Sequence, residues 1–154
     1  MRGTTALLLV DLDGVKAVND TYGHGCGDEV LRRVGRLISA SIRAGDLALR
    51  LGGDEFAVLL QDDMLSEAAV VERAVALRTA IADEPWSELA DDLAITASIG
   101  LSVADPAAAV ASGSLPSAES IYRAADTALY TAKRRRTGIV VSTGAQADPV
   151  RATG

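Results

Sequence analysis

"LALRLGGDEFAVLL", residues 47–60, places two apolar runs on either side of four residues that do not suit a core. Gly52 and Gly53 supply a tight turn, so residues 46–51 and 55–60 are predicted to be antiparallel strands of one hairpin. Asp54 and Glu55 then stand at the tip, either as a solvated strand end or as carboxylates presented for chemistry. A hairpin in the middle of an α/β chain forces antiparallel neighbours, which excludes a doubly wound, all-parallel sheet.

Working outward, "TTALLLVDLDG" is expected to be a buried strand ending in Asp11, Asp13 and Gly14. In "CGDEVLRRVGRLISASIRA", residues 26–44, Val30, Leu31, Val34, Leu37, Ile38 and Ile42 share one helical face, and Gly45 is expected as the C-cap. Helical spacing returns over 65–82, and Pro85 closes that unit. "DEPWSELADDL" suggests a surface loop, and "LAITASIGLSVAD" a strand in which Gly100 marks a bulge or a close approach. A loop over 104–116, a helix over 117–134 and a short strand "GIVVST" complete the pattern. The expected fold is therefore α/β: a βαββαβ-type sandwich whose mainly antiparallel central sheet is flanked by helices. Residues 1–142 form the expected domain, and 143–154 a flexible tail or linker.

Composition bounds the function. The 154 residues are 49% hydrophobic and carry a net charge of −6, an ordinary globular balance large enough for one core. That acidity excludes broad, backbone-driven nucleic-acid binding. Cys26 is the only cysteine, so no intrachain disulfide forms, which suits a reducing, cytoplasmic setting. The first apolar run is too short for a membrane span, although a longer parent chain can carry an anchor.

Two acidic pairs stand out. If the first strand lies beside the hairpin, Asp11 and Asp13 meet Asp54 and Glu55, and like charges so close call for a cation. Hard oxygen ligands suit Mg²⁺ or Mn²⁺. Gly14 lets the backbone turn and present amides to a phosphate, and Lys16 adds a point charge. Asn19 offers a donor and an acceptor, and Asp28 offers acceptors, a pair able to read a base edge. Each also has a plainer reading: Asn19-Asp20 as turn chemistry, and Asp28-Glu29 as a helix first turn. His24, between glycines, suits a structural or capping role. No P-loop motif is present.

Together these residues resemble the GGDEF family of diguanylate cyclases. The signature is complete at Gly52-Gly53-Asp54-Glu55-Phe56. "DLDGVKAVND" and "GHGCGD" match the family's upstream run, with Val15 for the usual Phe, and "ADTALYTAK" matches its late helix. The resemblance implies a nucleotidyl cyclase or polymerase-palm-like fold, two GTP condensed to cyclic di-GMP, and catalysis by a homodimer. It implies fusion to sensor or effector domains in a longer protein. By position, it implies metal binding at Asp11, Leu12 and Asp54, and catalytic roles for Asp54, Glu55 and Lys16. Substrate contacts are implied at Gly14, Val15, Asn19, Asp28, Gly52, Gly53 and Lys133. "RAGD" supplies an Arg43-x-x-Asp46 pair five residues before the signature, the position of the family's product-inhibition site. After Lys133 the run is "RRRTG", with Thr137 where a phosphate-binding Arg falls, and Arg136 is the expected substitute. The family's leading helix is absent from the sequence.

Two rival readings frame the expectation. "LLLVDLDGV" resembles the opening of haloacid-dehalogenase-type phosphatases, with Asp11 as nucleophile, but that fold has no place for the glycine hairpin. A catalytically silent module binding GTP or cyclic di-GMP is the other.

Overall fold

The computed structural model describes residues 3–105, 113, 117–143 and 146–149. In chain order these form β1 (Thr4–Asp13), α1 (Val15–Tyr22), α2 (His24–Ser41), β2 (Leu47–Gly52), β3 (Glu55–Asp62) and α3 (Glu67–Asp83). A short 3₁₀ turn (Trp86–Glu88) leads to β4 (Thr96–Ala104), α4 (Ala118–Arg135), β5 (Ile139–Thr143) and β6 (Gln146–Pro149). The six strands form one sheet in the order β2-β3-β1-β4-β5-β6. All neighbours are antiparallel except β4 and β5. The expected sandwich with a mainly antiparallel sheet is the fold observed.

Strand β1 is central, and its alternation assigns the two faces. Ala6, Leu8, Val10 and Leu12 point into the larger core with Val30, Val34 and Ile38 of α2 and Val70, Ala74, Leu77 and Ile81 of α3. Leu7 and Leu9 point the other way, against Ala57 and against Ala125 and Leu129 of α4. Because the period is two, Asp11 and Asp13 continue the α4 side as the strand leaves the core. The same logic on β3 sends Phe56, Val58 and Leu60 to the larger core and puts Glu55 on the α4 side with Ala57. Asp11 and Glu55 are direct cross-strand partners. The sheet thus places these carboxylates on one face, at one end.

Several expectations need correction. The segment after Gly14 is not only a turn: Val15–Tyr22 is a helix, anchored by buried Val15 and Val18. Gly23, at φ 88, ends it and starts α2, so α2 begins two residues before the expected helix and stops at Ser41. Gly45 is not its C-cap. Ile42 turns extended directly after the helix, and Gly45, at φ 91, serves a separate turn closed by the Asp46 N–H donating to Arg43 O at 3.0 Å. The Trp86 segment is no surface loop, because the indole is 2% exposed and donates to Ile81 O at 2.7 Å. Beyond residue 143, Gln146–Pro149 pairs antiparallel with β5 where a mobile tail was expected. Most of the loop expected over 104–116 lies outside the described residues.

Gly100 is a close-approach point rather than a bulge. β4 keeps its register with β1 through this residue. A Cβ there would sit 2.3 Å from Ala125 O and 2.3 Å from Leu129 N, so the missing side chain is what lets α4 lie against the sheet. Ser102 adds a tie, donating to Ile121 O at 2.7 Å.

Candidate active site

The hairpin tip differs in detail from a simple glycine turn. Gly52 pairs with Glu55, the turn proper is Gly53-Asp54, and a bulge lies between Arg50 and Gly52. Gly52 has φ 141 and Gly53 φ 54, conformations that only glycine adopts cheaply. The main-chain N–H of Leu12 donates to Asp54 O at 3.1 Å, which stitches the tip to the end of β1. Asp11, Asp54 and Glu55 are consequently brought together, as the sequence suggested.

Lys133, in the last turn of α4, reaches into this cluster. Its Nζ lies 2.9 Å from Asp11 Oδ2 and 4.0 Å from Asp13 Oδ1. Burial pushes the Asp11 carboxyl above its ordinary range, with help from the charges of Asp54 and Asp13, while the Lys133 ammonium pulls it back. Burial also raises the Glu55 carboxyl, and the neighbouring Asp11, Asp126 and Asp54 raise it further. Asp11, Glu55, Asp126, Tyr130 and Lys133 line a cavity of about 360 Å³.

On the other side of Lys133 is a second cavity of about 450 Å³, lined by Asp13, Gly14, Thr96, Ser98, Lys133 and Arg136. Asp13 is a strut here: it accepts from Oγ1 of Thr96, its partner across the β1–β4 ladder, at 2.9 Å, and from Ser98 Oγ, opposite Asp11, at 3.0 Å. Gly14, at φ 82, opens the wall, with no atom within 4 Å of where a Cβ would point. Arg136 faces this cavity from a left-handed C-cap at φ 53, whereas the Thr137 hydroxyl is buried without a partner.

The donor set suits a hard divalent cation. Asp11 Oδ1 is buried with no hydrogen-bond partner, an acceptor left for a cation, while Oδ2 already pairs with Lys133. Leu12, whose side chain is 1% exposed, can offer only its main-chain oxygen. Among the described residues no three acidic, His or Cys side chains converge tightly enough to hold a metal unaided. A cation here would therefore rest on few protein oxygens and complete its shell with water or phosphate, the habit of Mg²⁺.

Comparison with known proteins identifies the architecture. The profile of the family "Diguanylate cyclase, GGDEF domain" matches residues 2–138. The chain belongs to this family. It is 37% identical over 132 residues to the diguanylate cyclase DgcS of Shewanella oneidensis, covering 86% of this chain and 40% of that protein. It is 36% identical over 141 residues to the response regulator PleD of Caulobacter vibrioides, covering 90% of this chain and 29% of that protein. The GGDEF domain of DgcB from Caulobacter crescentus, solved with c-di-GMP, superposes with a TM-score of 0.77 at 29% identity, over 90% of this chain and 78% of that one. The active GGEEF domain of a Vibrio cholerae diguanylate cyclase gives 0.78 at 26% identity, over 93% and 85%. The chain thus spans less than half the length of the curated relatives.

Other predicted residues of this GGDEF domain lie apart from the carboxylates. Lys16 is exposed on α1 and makes no ion pair among the described residues. Asn19 lies on α1, its Oδ1 buried and unpartnered against Gly27 of α2, and Asp28 is exposed one residue on. Arg43 and Asp46 sit at the opposite end of β2 from the signature turn. Asp46 accepts from the Arg43 main-chain N–H at 2.9 Å and from Arg73 Nη2 of α3 at 2.7 Å, and its side chain is 5% exposed. Burial would raise that carboxyl, but these donors outweigh it and hold it below the usual range.

Sequence reasoning missed Asp126, Thr96 and Ser98. Asp126 was findable, because it precedes Lys133 by two helical turns and so shares its face. Thr96 and Ser98 were not, since their role depends on the β1–β4 pairing. Among the described residues no helix is long and apolar enough to cross a membrane.

Proposed function

We propose that this GGDEF domain condenses two GTP molecules into cyclic di-GMP with release of two pyrophosphates. The observation that carries it is the meeting of Asp11, Asp54, Glu55 and Lys133 between two open cavities, one bounded by the Gly14 turn. In each half-reaction a 3′-hydroxyl oxygen bonds to the α-phosphorus of the other nucleotide and the bond to pyrophosphate breaks. Asp11, Asp54 and the Leu12 carbonyl would hold a divalent cation, which supplies Lewis acidity to the α-phosphate and eases ionisation of the hydroxyl. Lys133 is held where it can pass from Asp11 to a triphosphate, with Lys16, Arg136 and the main chain at Gly14 and Val15 adding contacts. Glu55, its carboxyl raised, is suited to accepting the proton. Gly52 and Gly53 leave room for a guanosine against the tip. Asn19 and Asp28 read guanine, whose N1–H and amine adenine lacks, so GTP is favoured over ATP.

Product inhibition extends the reading. Arg43 and Asp46 stand at the family's position, and a bound guanine would have to take Asp46 from Arg73. The domain acts in this reading as a pair of copies, within a longer protein on the cytoplasmic side.

The test is direct. Purified protein, fused to a dimerising coil and given GTP and Mg²⁺, should yield cyclic di-GMP and pyrophosphate by chromatography, with added product slowing the rate. Asp54→Ala should abolish both products. A specific observation favours one alternative: Thr137 stands in place of a phosphate-binding Arg. Tight GTP binding with no product in the dimerised protein would establish the silent binding module instead.

A further inference from the structure

The signature turn is free of side-chain restraint on its glycines. A Cβ built on Gly52 or Gly53 would meet nothing within 4 Å. Two consecutive glycines without packing sample many conformations, and Asp54 is carried directly after them. Yet Asp54 must hold one orientation to share a cation with Asp11. Something other than packing has to hold the loop.

Main-chain carbonyls of the turn are held from two sides. Asp54 O accepts from the Leu12 N–H at 3.1 Å, a bond to the neighbouring strand. Gly53 O accepts two bonds from one exposed side chain, Arg50 Nε at 3.1 Å and Arg50 Nη2 at 2.7 Å. The planar guanidinium offers two donors in a rigid fork, so the pair of bonds fixes the direction of the carbonyl as well as its position. Gly53 O belongs to the peptide that joins Gly53 to Asp54, so holding this oxygen holds the plane from which the Asp54 backbone departs. The bulge between Arg50 and Gly52 gives β2 one more residue than β3 opposes.

We propose that Arg50 is a positioning residue of the active site, whose forked hydrogen bonds to Gly53 O lock the signature turn so that Asp54 meets Asp11. This rests on the catalytic reading of Asp11 and Asp54 given above. Arg50 makes no ion pair among the described residues, is exposed and packs in none of the three core clusters, so its removal should spare the fold.

The experiment compares wild type, Arg50→Ala, Arg50→Lys and, as a control exposed arginine, Arg123→Ala, all as the coil-fused dimer. Arg50→Ala should lower kcat by about 100-fold, the scale of a small misplacement of reacting groups, with KM for GTP changed less than about threefold. It should also raise the Mg²⁺ concentration needed for half-maximal rate. Millimolar guanidinium should restore part of the lost rate to Arg50→Ala and none to Asp54→Ala. Arg50→Lys, with a point charge and no fork, should recover little.

A readout independent of turnover separates this inference from the function it rests on. Amide hydrogen exchange over residues 52–55 should speed up in Arg50→Ala while α2 and α3 keep their protection, and Mn²⁺ should bind more weakly. Wild-type kcat and wild-type exchange in Arg50→Ala would overturn the proposal. An inactive wild type whose turn loosens in Arg50→Ala would overturn the catalytic function and leave the lock standing.

Discussion

At the scale of single residues, Gly27 and Asn19 show how a glycine can act through a neighbour. A Cβ on Gly27 would lie 1.8 Å from Asn19 Oδ1, which is buried and unpartnered. The obstacle is the far end of one side chain, so Gly27→Ala should be absorbed by a rotation of Asn19 and not by a shift of α2. Alanine also favours a helix interior over glycine by about 1 kcal/mol, which offsets any strain. The thermal midpoint should therefore change little, while displacement of Asn19 from its proposed base-reading position should weaken GTP binding about 10-fold, the worth of one well-made hydrogen bond. Calorimetric titration with a non-hydrolysable GTP analogue, beside Asn19→Ala, checks both. An unchanged affinity in both variants would remove Asn19 from the nucleotide site. Gly27 lies within "GHGCGD", but its reason for being glycine needs the packing of α1 on α2, and a sequence cannot display that.

Elements set the distance between the two halves of the site. Lys133 reaches Asp11 only because α4 lies close to the sheet, and Gly100 permits that closeness. The contacts that a Cβ at Gly100 would make are to main-chain atoms of Ala125 and Leu129, which cannot rotate away. Gly100→Ala should therefore push α4 outward and destabilise the domain by about 1–3 kcal/mol, the usual cost of overpacking. Urea unfolding measures this, and turnover should fall beyond the loss of folded protein because Lys133 moves with its helix. The strands were legible because alternation and the Gly52-Gly53 break are local signals, and α3 because its apolar spacing is regular. Helix α1 escaped because only Val15 and Val18 anchor it, and its polar residues resemble a turn. Strand β6 escaped because its pairing with β5 is settled by sheet geometry and not by composition. Asp11, Asp54 and Glu55 could be paired on paper, since one hairpin beside one strand suffices. The Lys133 contact and the Thr96 and Ser98 struts needed α4 and β4 in place.

For the whole molecule the deciding fact is where the site opens. Asp11, Glu55, Asp126, Tyr130 and Lys133 line one shallow cavity at the end of the sheet, and Tyr130 is 63% exposed at its rim. Both cavities flank a single Lys133, which pairs with one Asp11 beside one signature turn. Cyclic di-GMP has two phosphodiester bonds, each made by a hydroxyl of one guanosine on the phosphate of the other. On the proposed function, one copy of this site would hold half of the reaction, and a second copy would bring the other nucleotide face to face with it. The proposed function then predicts that nucleotide binding needs one chain and turnover two, so the two should respond differently to protein concentration. For the unfused domain at low concentration, the initial rate should rise with the square of the protein concentration, while GTP affinity stays constant. Fusion to a dimerising coil should make the rate linear in protein and raise specific activity without altering affinity. Mixing an excess of Asp54→Ala chains into unfused wild type should lower the rate, because mixed pairs contain one working site. A rate linear in protein across a hundredfold dilution of unfused domain, with size-exclusion showing monomer throughout, would sink the two-chain requirement.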